Sequence, residues 1–405
     1  MMDFLRNYLD KIKPNFEPGG KLHAFHSVFD GFKTFLFVPN STSKSGVHIH
    51  DAMDSKRAMS IVVIALIPCL LFGMFNTGYQ HYMAIGENPG FLLTFIYGFL
   101  AVLPIVLVSY IVGLGIEFTV AQWKGHEIQE GFLVSGMLIP LIVPVDTPLW
   151  MVALATAFAV IFAKEVLGGT GYNIWNVALI TRAFLFFAYP SKMSGDSVFV
   201  RTGSAFGMGK GEVLDGFSGA TPLGQIGSSP VPVEVTDTMG DPLSYWDMFW
   251  GLIPGSVGET SKLCILLGAL ILLVTGIANW RTMLSVFVGG VVTVLMFNAI
   301  GSTAAMQVGI GEQLLLGGFA FGAVFMATDP VTSPRTQVGK YIFGFLIGFF
   351  AICVRVLNPG YPEGMMLAIL FMNSFAPLID HYVVEANINR RLKRVSINTK
   401  GGNDE

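Results

Sequence analysis

Long apolar stretches, repeatedly broken by glycine or proline, decide most of what this chain can fold into. A run of about 18 or more apolar residues is long enough to cross a bilayer as a helix. Residues 59–78, 91–118, 131–145, 149–166 and 176–189 form one group of apolar segments, and 263–277, 283–300, 313–327, 341–357 and 365–379 a second. By the ~20-residue criterion they amount to about ten spans. Several are short for a straight crossing, so their backbones need neighbouring helices or a lined cavity to be satisfied. Charged residues are 13% of the 405 and hydrophobic ones 53%, where a soluble domain carries about 25% charged. The expected fold class is an all-α polytopic membrane protein. A formal net charge of -3 argues against a nucleic-acid partner.

Cys69, Cys264 and Cys353 each stand alone in an apolar run, without CxxC spacing, and read as packing residues. Residues 1–58 are too long and too charged for a cleaved signal peptide. Within them "FLRNYLDKI" puts Phe4, Leu5, Tyr8, Leu9 and Ile12 on one helical face, an arm for the membrane surface or another subunit. Lys11, Lys13, Lys21, Lys33, Lys56 and Arg57 in this arm, and "RRLKR" at 390–394, place both ends in the cytoplasm. The odd-numbered connections at 77–90, 146–148 and 301–312 hold no Lys or Arg, while the other face holds Lys124, Arg281, Arg335 and Lys340. The expected order is a cytoplasmic arm (1–58), five helices (59–190), an exported loop (191–261), five more helices (262–382) and a basic tail (383–405). "YWDMFWGLIPG" (245–255) closes the loop as an interfacial aromatic belt.

Five is odd, so equivalent spans of the two halves run in opposite directions. The third span of each half ends in a similar break, "IPLIVPVDTP" from Ile139 and "FMATDPVTSP" from Phe325. Inverted repeats with broken helices bind ions near the midplane; Pro, Thr and Asp also simply end many helices. Arg182 lies inside the fifth span and needs a partner, for which Glu165 is the nearest candidate in sequence. His126 reads as a loop residue on the cytoplasmic face.

The motifs "FEPGGK" (16–21), "AKEVLGGTGYN" (163–173), "RAFLFFAYP" (182–190), "SGAT" (218–221), "IPGSVGE" (253–259), "FMATDPV" (325–331) and "NPGYPEGMMLAIL" (358–370) together resemble the B-subunit family of the sodium-translocating NADH:quinone oxidoreductases. The D subunit of the Rnf complex is similar in its spans, but generally lacks so long an N-terminal arm. The resemblance implies a translocase subunit of the bacterial inner membrane that works with the other subunits (A, C, D, E and F) and has no turnover with NADH alone. No dinucleotide-binding fingerprint opens a βα unit here. The resemblance also implies FMN held covalently, as a phosphoester, on Thr221 of "DGFSGAT" (215–221), attached by a periplasmic flavin transferase that reads Asp215 and Ser218, with Gly219 and Ala220 leaving room for its approach. Electrons would pass from FMN on the C subunit to this FMN, to a non-covalent riboflavin and on to quinone.

The riboflavin region implied is 168–176, with Asn173 and Asn176; without the resemblance it reads rather as a Gly-rich connection with no ligand. Quinone contacts are implied at Gly113 and Glu117, although Glu117 also reads as an interfacial carboxylate. Acidic residues tied to sodium are implied at Asp30, Glu117, Asp329, Glu363 and Asp380, each of which reads alternatively as a helix-end charge. Three positions depart from the family pattern: Val177 for proline, Leu114 for the second of paired glycines, and Asp30 for glutamate. Without the resemblance, the spans fit an inverted-repeat transporter, or a scaffold whose cofactors sit in its neighbours.

Overall fold

The computed structural model describes residues 2–17, 55–124, 131–194, 198–205, 214–229 and 234–401, with isolated positions between 20 and 46 and at 208, 231 and 232. Asp30 and His126 lie outside the described residues. Among the described residues the chain is helical, with two isolated β-bridges and no strand. The helices are α1 (Met2–Ile12), α2 (Ser55–Ile85), α3 (Phe91–Lys124), α4 (Phe132–Ile142), α5 (Leu149–Val160), α6 (Val177–Ala188), α7 (Pro222–Ser228), α8 (Tyr245–Trp250), α9 (Lys262–Val274), α10 (Trp280–Ile300), α11 (Ile310–Leu315), α12 (Phe319–Phe321), α13 (Gln337–Leu357) and α14 (Met365–Gly401).

Every apolar segment read from the sequence contains helix, but among the described residues only five helices, α2, α3, α10, α13 and α14, are long and apolar enough to cross a membrane. The others are short for a physical reason: proline, glycine or a wide turn interrupts them. α4 stops at "VPVDTP". α5 runs into a π turn at Ile161–Glu165 and then into Gly168, Gly169 and Gly171, all at positive φ. α11 breaks at Leu316–Gly318, resumes as α12 and ends in a second π turn at Gly322–Met326. The break exposes carbonyls that lipid cannot satisfy, and buried cations reach them. Arg355 Nη1 donates to the Gln313 carbonyl (2.5 Å), Arg355 Nη2 to that of Leu316 (3.4 Å), and Lys262 Nζ to that of Gly317 (3.2 Å).

The two halves share a packing order. In the first, α3 packs on α5 and α5 on α6; in the second, α10 packs on α13 and α13 on α14. The leading helices α2 and α9 pack on each other, and the last helices α6 and α14 also meet. Glycine brings backbones close where α2 meets α3 and α10 meets α13, as expected where lipid supplies no hydrophobic drive between helices. A Cβ on Gly98 would lie 1.6 Å from the Met74 carbonyl oxygen, and one on Gly348 2.1 Å from that of Val286.

The connections sort into two groups. The segment between α6 and α9 touches each connection of the first group. Leu214 N donates to Ala84 O (2.9 Å), and Asp146 N donates to Val198 O (3.3 Å). Gly311 sits against the Tyr245 ring, and Gly227 against Pro359. The second group, at residues 166–176, 275–279 and 327–336, gathers around a different cavity. α8 exposes Tyr245, Trp246 and Trp250, the pattern of an interfacial belt. In the arm, α1 buries Leu9, and Phe16 stacks on Phe29 at 4.5 Å.

Candidate functional site

Thr221 opens α7. It takes the extended conformation of a helix N-cap, its hydroxyl accepts from the Gly224 N–H (3.1 Å), and Pro222 fills the first helical position. The loop before it is tied down. Gly216 turns the chain at φ 89°, Ser218 N donates to Thr238 O (3.0 Å), and Ala220 N donates to Ser218 Oγ (3.4 Å). The Gln225 amide clamps Thr236 through its N–H and its carbonyl, both at 3.0 Å. Asp215 is exposed, Gly219 is buried, and Thr221 is partly buried rather than free in water.

The Thr221 side faces a cavity of about 270 Å³ walled by Ala220, Gly224, Phe186, Tyr361, Glu363 and Arg182. Arg182 donates through Nη2 to Glu363 and has its Nη1 3.8 Å from Glu259 Oε2. This corrects the pairing expected from sequence: the fifth span turns Arg182 toward the first group of connections, away from Glu165. Glu165 instead meets Lys124, whose Nζ reaches its carbonyl oxygen (3.1 Å) and its carboxylate (3.8 Å). Among the described residues, Arg182 Nε and Nη1 have no hydrogen-bond partner. A hydroxyl, small residues beside it and a buried guanidinium with unused donors fit a phosphate-linked group on Thr221.

At the other end, Asn173, Asn176 and Asp329 share a cavity of about 90 Å³ with Lys164, Thr170, Phe325 and Pro330. Asn176 caps α6 by accepting from Ala178 N (3.0 Å) and Leu179 N (3.3 Å), and its Nδ2 donates to Asp329 Oδ2 (3.2 Å). Asp329 also accepts from Val331 N (3.1 Å) and Thr332 Oγ1 (3.1 Å), so three neutral donors and no cation hold this carboxylate. Asn173 Nδ2 donates to Trp175 O (3.1 Å). The Asn173 amide and the apolar walls suit part of a flavin's edge and face, but the Asn176 amide is committed to the α6 cap and Asp329, and at about 90 Å³ the cavity must widen to take a whole ring system.

Gly113 and Glu117 lie one turn apart on α3. Gly113 faces the Phe132 ring, where a Cβ would come within 1.9 Å. Glu117 is ion-paired with Lys164 of the π turn, both side chains being about 5% exposed or less, and Lys164 stands 5.9 Å over the Phe132 ring. Asp380 accepts from Arg335 N (2.7 Å), Thr336 N (3.1 Å) and Thr336 Oγ1 (2.5 Å), and so braces the cap of α13. Asp380→Asn is expected to cost about 0.5–2 kcal/mol through that cap, read as a lower melting temperature of the purified protein. The acidic residues for which the resemblance implies a sodium role thus fall at separate places: Glu363 beside Thr221, and Glu117, Asp329 and Asp380 toward the second group. Among the described residues no three of His, Cys, Asp or Glu gather as a metal cluster.

A third cavity, of about 540 Å³, lies at the first group of connections with Asp146, Lys192 and Arg201. Burial pushes the Asp146 carboxyl up, against the opposing pull of Arg201 and Lys192. Lys164, Glu259, Lys262 and Arg355 were not singled out from sequence. The signal that marked Arg182, a charge beside or within an apolar run, applies to each of them.

Residues 42–389 match the NQR2, RnfD, RnfE family. The chain is 45% identical over 424 residues to the B subunit of the Na(+)-translocating NADH-quinone reductase of Chromohalobacter salexigens, with 99% of each chain covered. It is 43% identical over 415 residues to the protein of that name from Ectopseudomonas mendocina, and 42% over 417 to that of Pseudoalteromonas atlantica; both alignments cover 96% of this chain and 99% of the relative. The chain therefore belongs to the NQR2, RnfD, RnfE family and, within it, to the B subunits of the Na(+)-translocating NADH-quinone reductases.

Proposed function

We propose that this chain is the membrane subunit of a redox-driven sodium pump, carrying FMN on Thr221 and riboflavin in the Asn173–Asp329 cavity, and passing electrons to quinone. The observation that carries the reading is the placement of Thr221: the hydroxyl of the "SGAT" motif opens a helix at the rim of a cavity whose wall holds a buried, under-bonded arginine. Flavins, when bound, can exchange electrons singly or in pairs, and the protein supplies binding, orientation and electrostatics.

The residues divide that work between the two ends. Thr221 offers the oxygen for a phosphoester, with Ala220 and Gly224 leaving space beside it. Asn173 offers its amide carbonyl to the second cavity, and Asn176 holds the Asp329 carboxylate against its wall. Gly113, Phe132 and the Glu117–Lys164 pair line the proposed quinone contact. Glu363 at one end, and Glu117, Asp329 and Asp380 toward the other, fit an entrance and an exit for sodium better than a single cage. That sodium and quinone are handled follows the names of the relatives, and the residues given for them follow the resemblance of their motifs.

The shared packing order supports ten spans in two inverted repeats. The short connections of the first group, 86–90, 143–148, 301–309 and 358–364, contain no Lys or Arg, which supports an exported Thr221 end and cytoplasmic termini in a bacterial inner membrane.

Denatured protein, co-produced with a flavin transferase, is expected to show a fluorescent flavin band under ultraviolet light, and Thr221→Ala to remove it completely. A band that survives in Thr221→Ala sinks the assignment.

A further inference from the structure

The buried charges beside the Thr221 cavity do not balance. Arg182, Lys262 and Arg355 are each no more than 4% exposed, and the carboxylates set against them are Glu259 and Glu363. Lys262 donates to the carbonyls of Glu259 (2.6 Å) and Gly317 (3.2 Å), and Arg355 to those of Gln313, Leu316 and Glu363. Those carbonyls satisfy hydrogen bonds but carry no net charge. Among the described residues, three cations therefore face two carboxylates. Buried charge without a counter-charge is strongly disfavoured. Of the three cations, Arg182 lines the Thr221 cavity, and among the described residues its Nε and Nη1 have no hydrogen-bond partner.

We infer that Arg182 is the counter-charge of the anionic group carried on Thr221, shared between that group and Glu363. The inference rests on the flavin assignment proposed above. A phosphodiester on Thr221 Oγ1 brings one negative charge into the cavity and balances the cluster. The guanidinium fork suits such a group, since it offers several donors in a fixed plane. The same positive charge favours the reduced flavin. A flavin held there would gain one negative charge on taking up two electrons and one proton, and the Arg182 guanidinium beside it would stabilise that form. Glu363 opposes this by holding part of the guanidinium's charge. Arg182 thus tunes a potential that Thr221 alone does not set.

The test uses the assembled complex with its flavins, titrated with dithionite in a spectroelectrochemical cell, and follows the midpoint potential of the flavin on Thr221. Gel fluorescence first scores loading. Arg182→Gln is expected to disfavour the reduced form at least tenfold, a downward shift of about 30 mV for a two-electron couple. Arg182→Lys keeps the charge and is expected to stay close to the parent value. Glu363→Gln, which frees the guanidinium and removes a negative charge, is expected to shift the potential upward. Opposite signs for the two glutamine variants support the inference. Unchanged potentials in loaded variants, or a downward shift in Glu363→Gln, overturn it. Should Arg182→Gln fail to assemble, Arg182→Lys and Glu363→Gln decide by the same criteria. The flavin assignment fails separately, if the parent lacks the band or Thr221→Ala keeps it.

Discussion

Lys164→Met is expected to destabilise the protein by about 3–5 kcal/mol, the range for removing one partner of a buried ion pair. Lys164 and Glu117 are both almost fully buried. Among the described residues, Glu117 Oε1 has, besides the ammonium, only a long contact from Thr170 Oγ1 (3.5 Å), and Oε2 has no hydrogen-bond partner. Without the lysine the carboxylate must take up a proton or draw water between α3 and the π turn after α5. The double variant Glu117→Gln/Lys164→Met removes both charges and is expected to recover most of the loss. Thermal unfolding of the detergent-solubilised complex checks this. Equal melting temperatures for Lys164→Met and its parent would show that the pair contributes nothing.

A second large effect is expected at Gly98. Its α-hydrogen faces the backbone of α2, and a Cβ there would lie 1.6 Å from the Met74 carbonyl oxygen and 3.1 Å from Gly78 N. Overpacking a core ordinarily costs about 1–3 kcal/mol because side chains give way. Here the obstacle is main chain, so α2 and α3 must part along their contact. Gly98→Val is therefore expected to abolish accumulation of assembled protein in the membrane. At Gly115, further along α3, nothing stands within 4 Å of the place a Cβ would take, and Gly115→Ala is expected to accumulate normally. Membrane-fraction immunoblots of the two variants test the pair, and wild-type levels of Gly98→Val would count against the close approach.

What the sequence made legible, and what it hid, follows from the range of each interaction. Hydropathy is local, so helix could be anticipated in every apolar segment. The interruptions were legible as Gly and Pro, but their form was not. The π turn at Ile161–Glu165 and the split between α11 and α12 depend on which distant side chains meet the freed carbonyls. Arg355 reaches back 42 residues to Gln313, and Lys262 reaches 55 residues to Gly317. The partner of Arg182 shows the same limit. Glu165 was close in sequence and wrong, whereas Glu363 lies 181 residues away and becomes a neighbour only when α6 meets the connection before α14. Thr221 was marked by its motif. That it caps a helix, and sits partly buried beside Arg182, required the fold. Asn176 and Asp329 were singled out separately, and the structure joins them by a hydrogen bond across 153 residues.

The segment between α6 and α9 has a mechanical consequence. It is pinned to Ala84 and Asp146 of the first half, and to Gly311 and Pro359 of the second, with Thr221 between those anchor points. It works as a clasp across the seam. Any relative tilt of the two groups of helices would strain these contacts, with Thr221 between them.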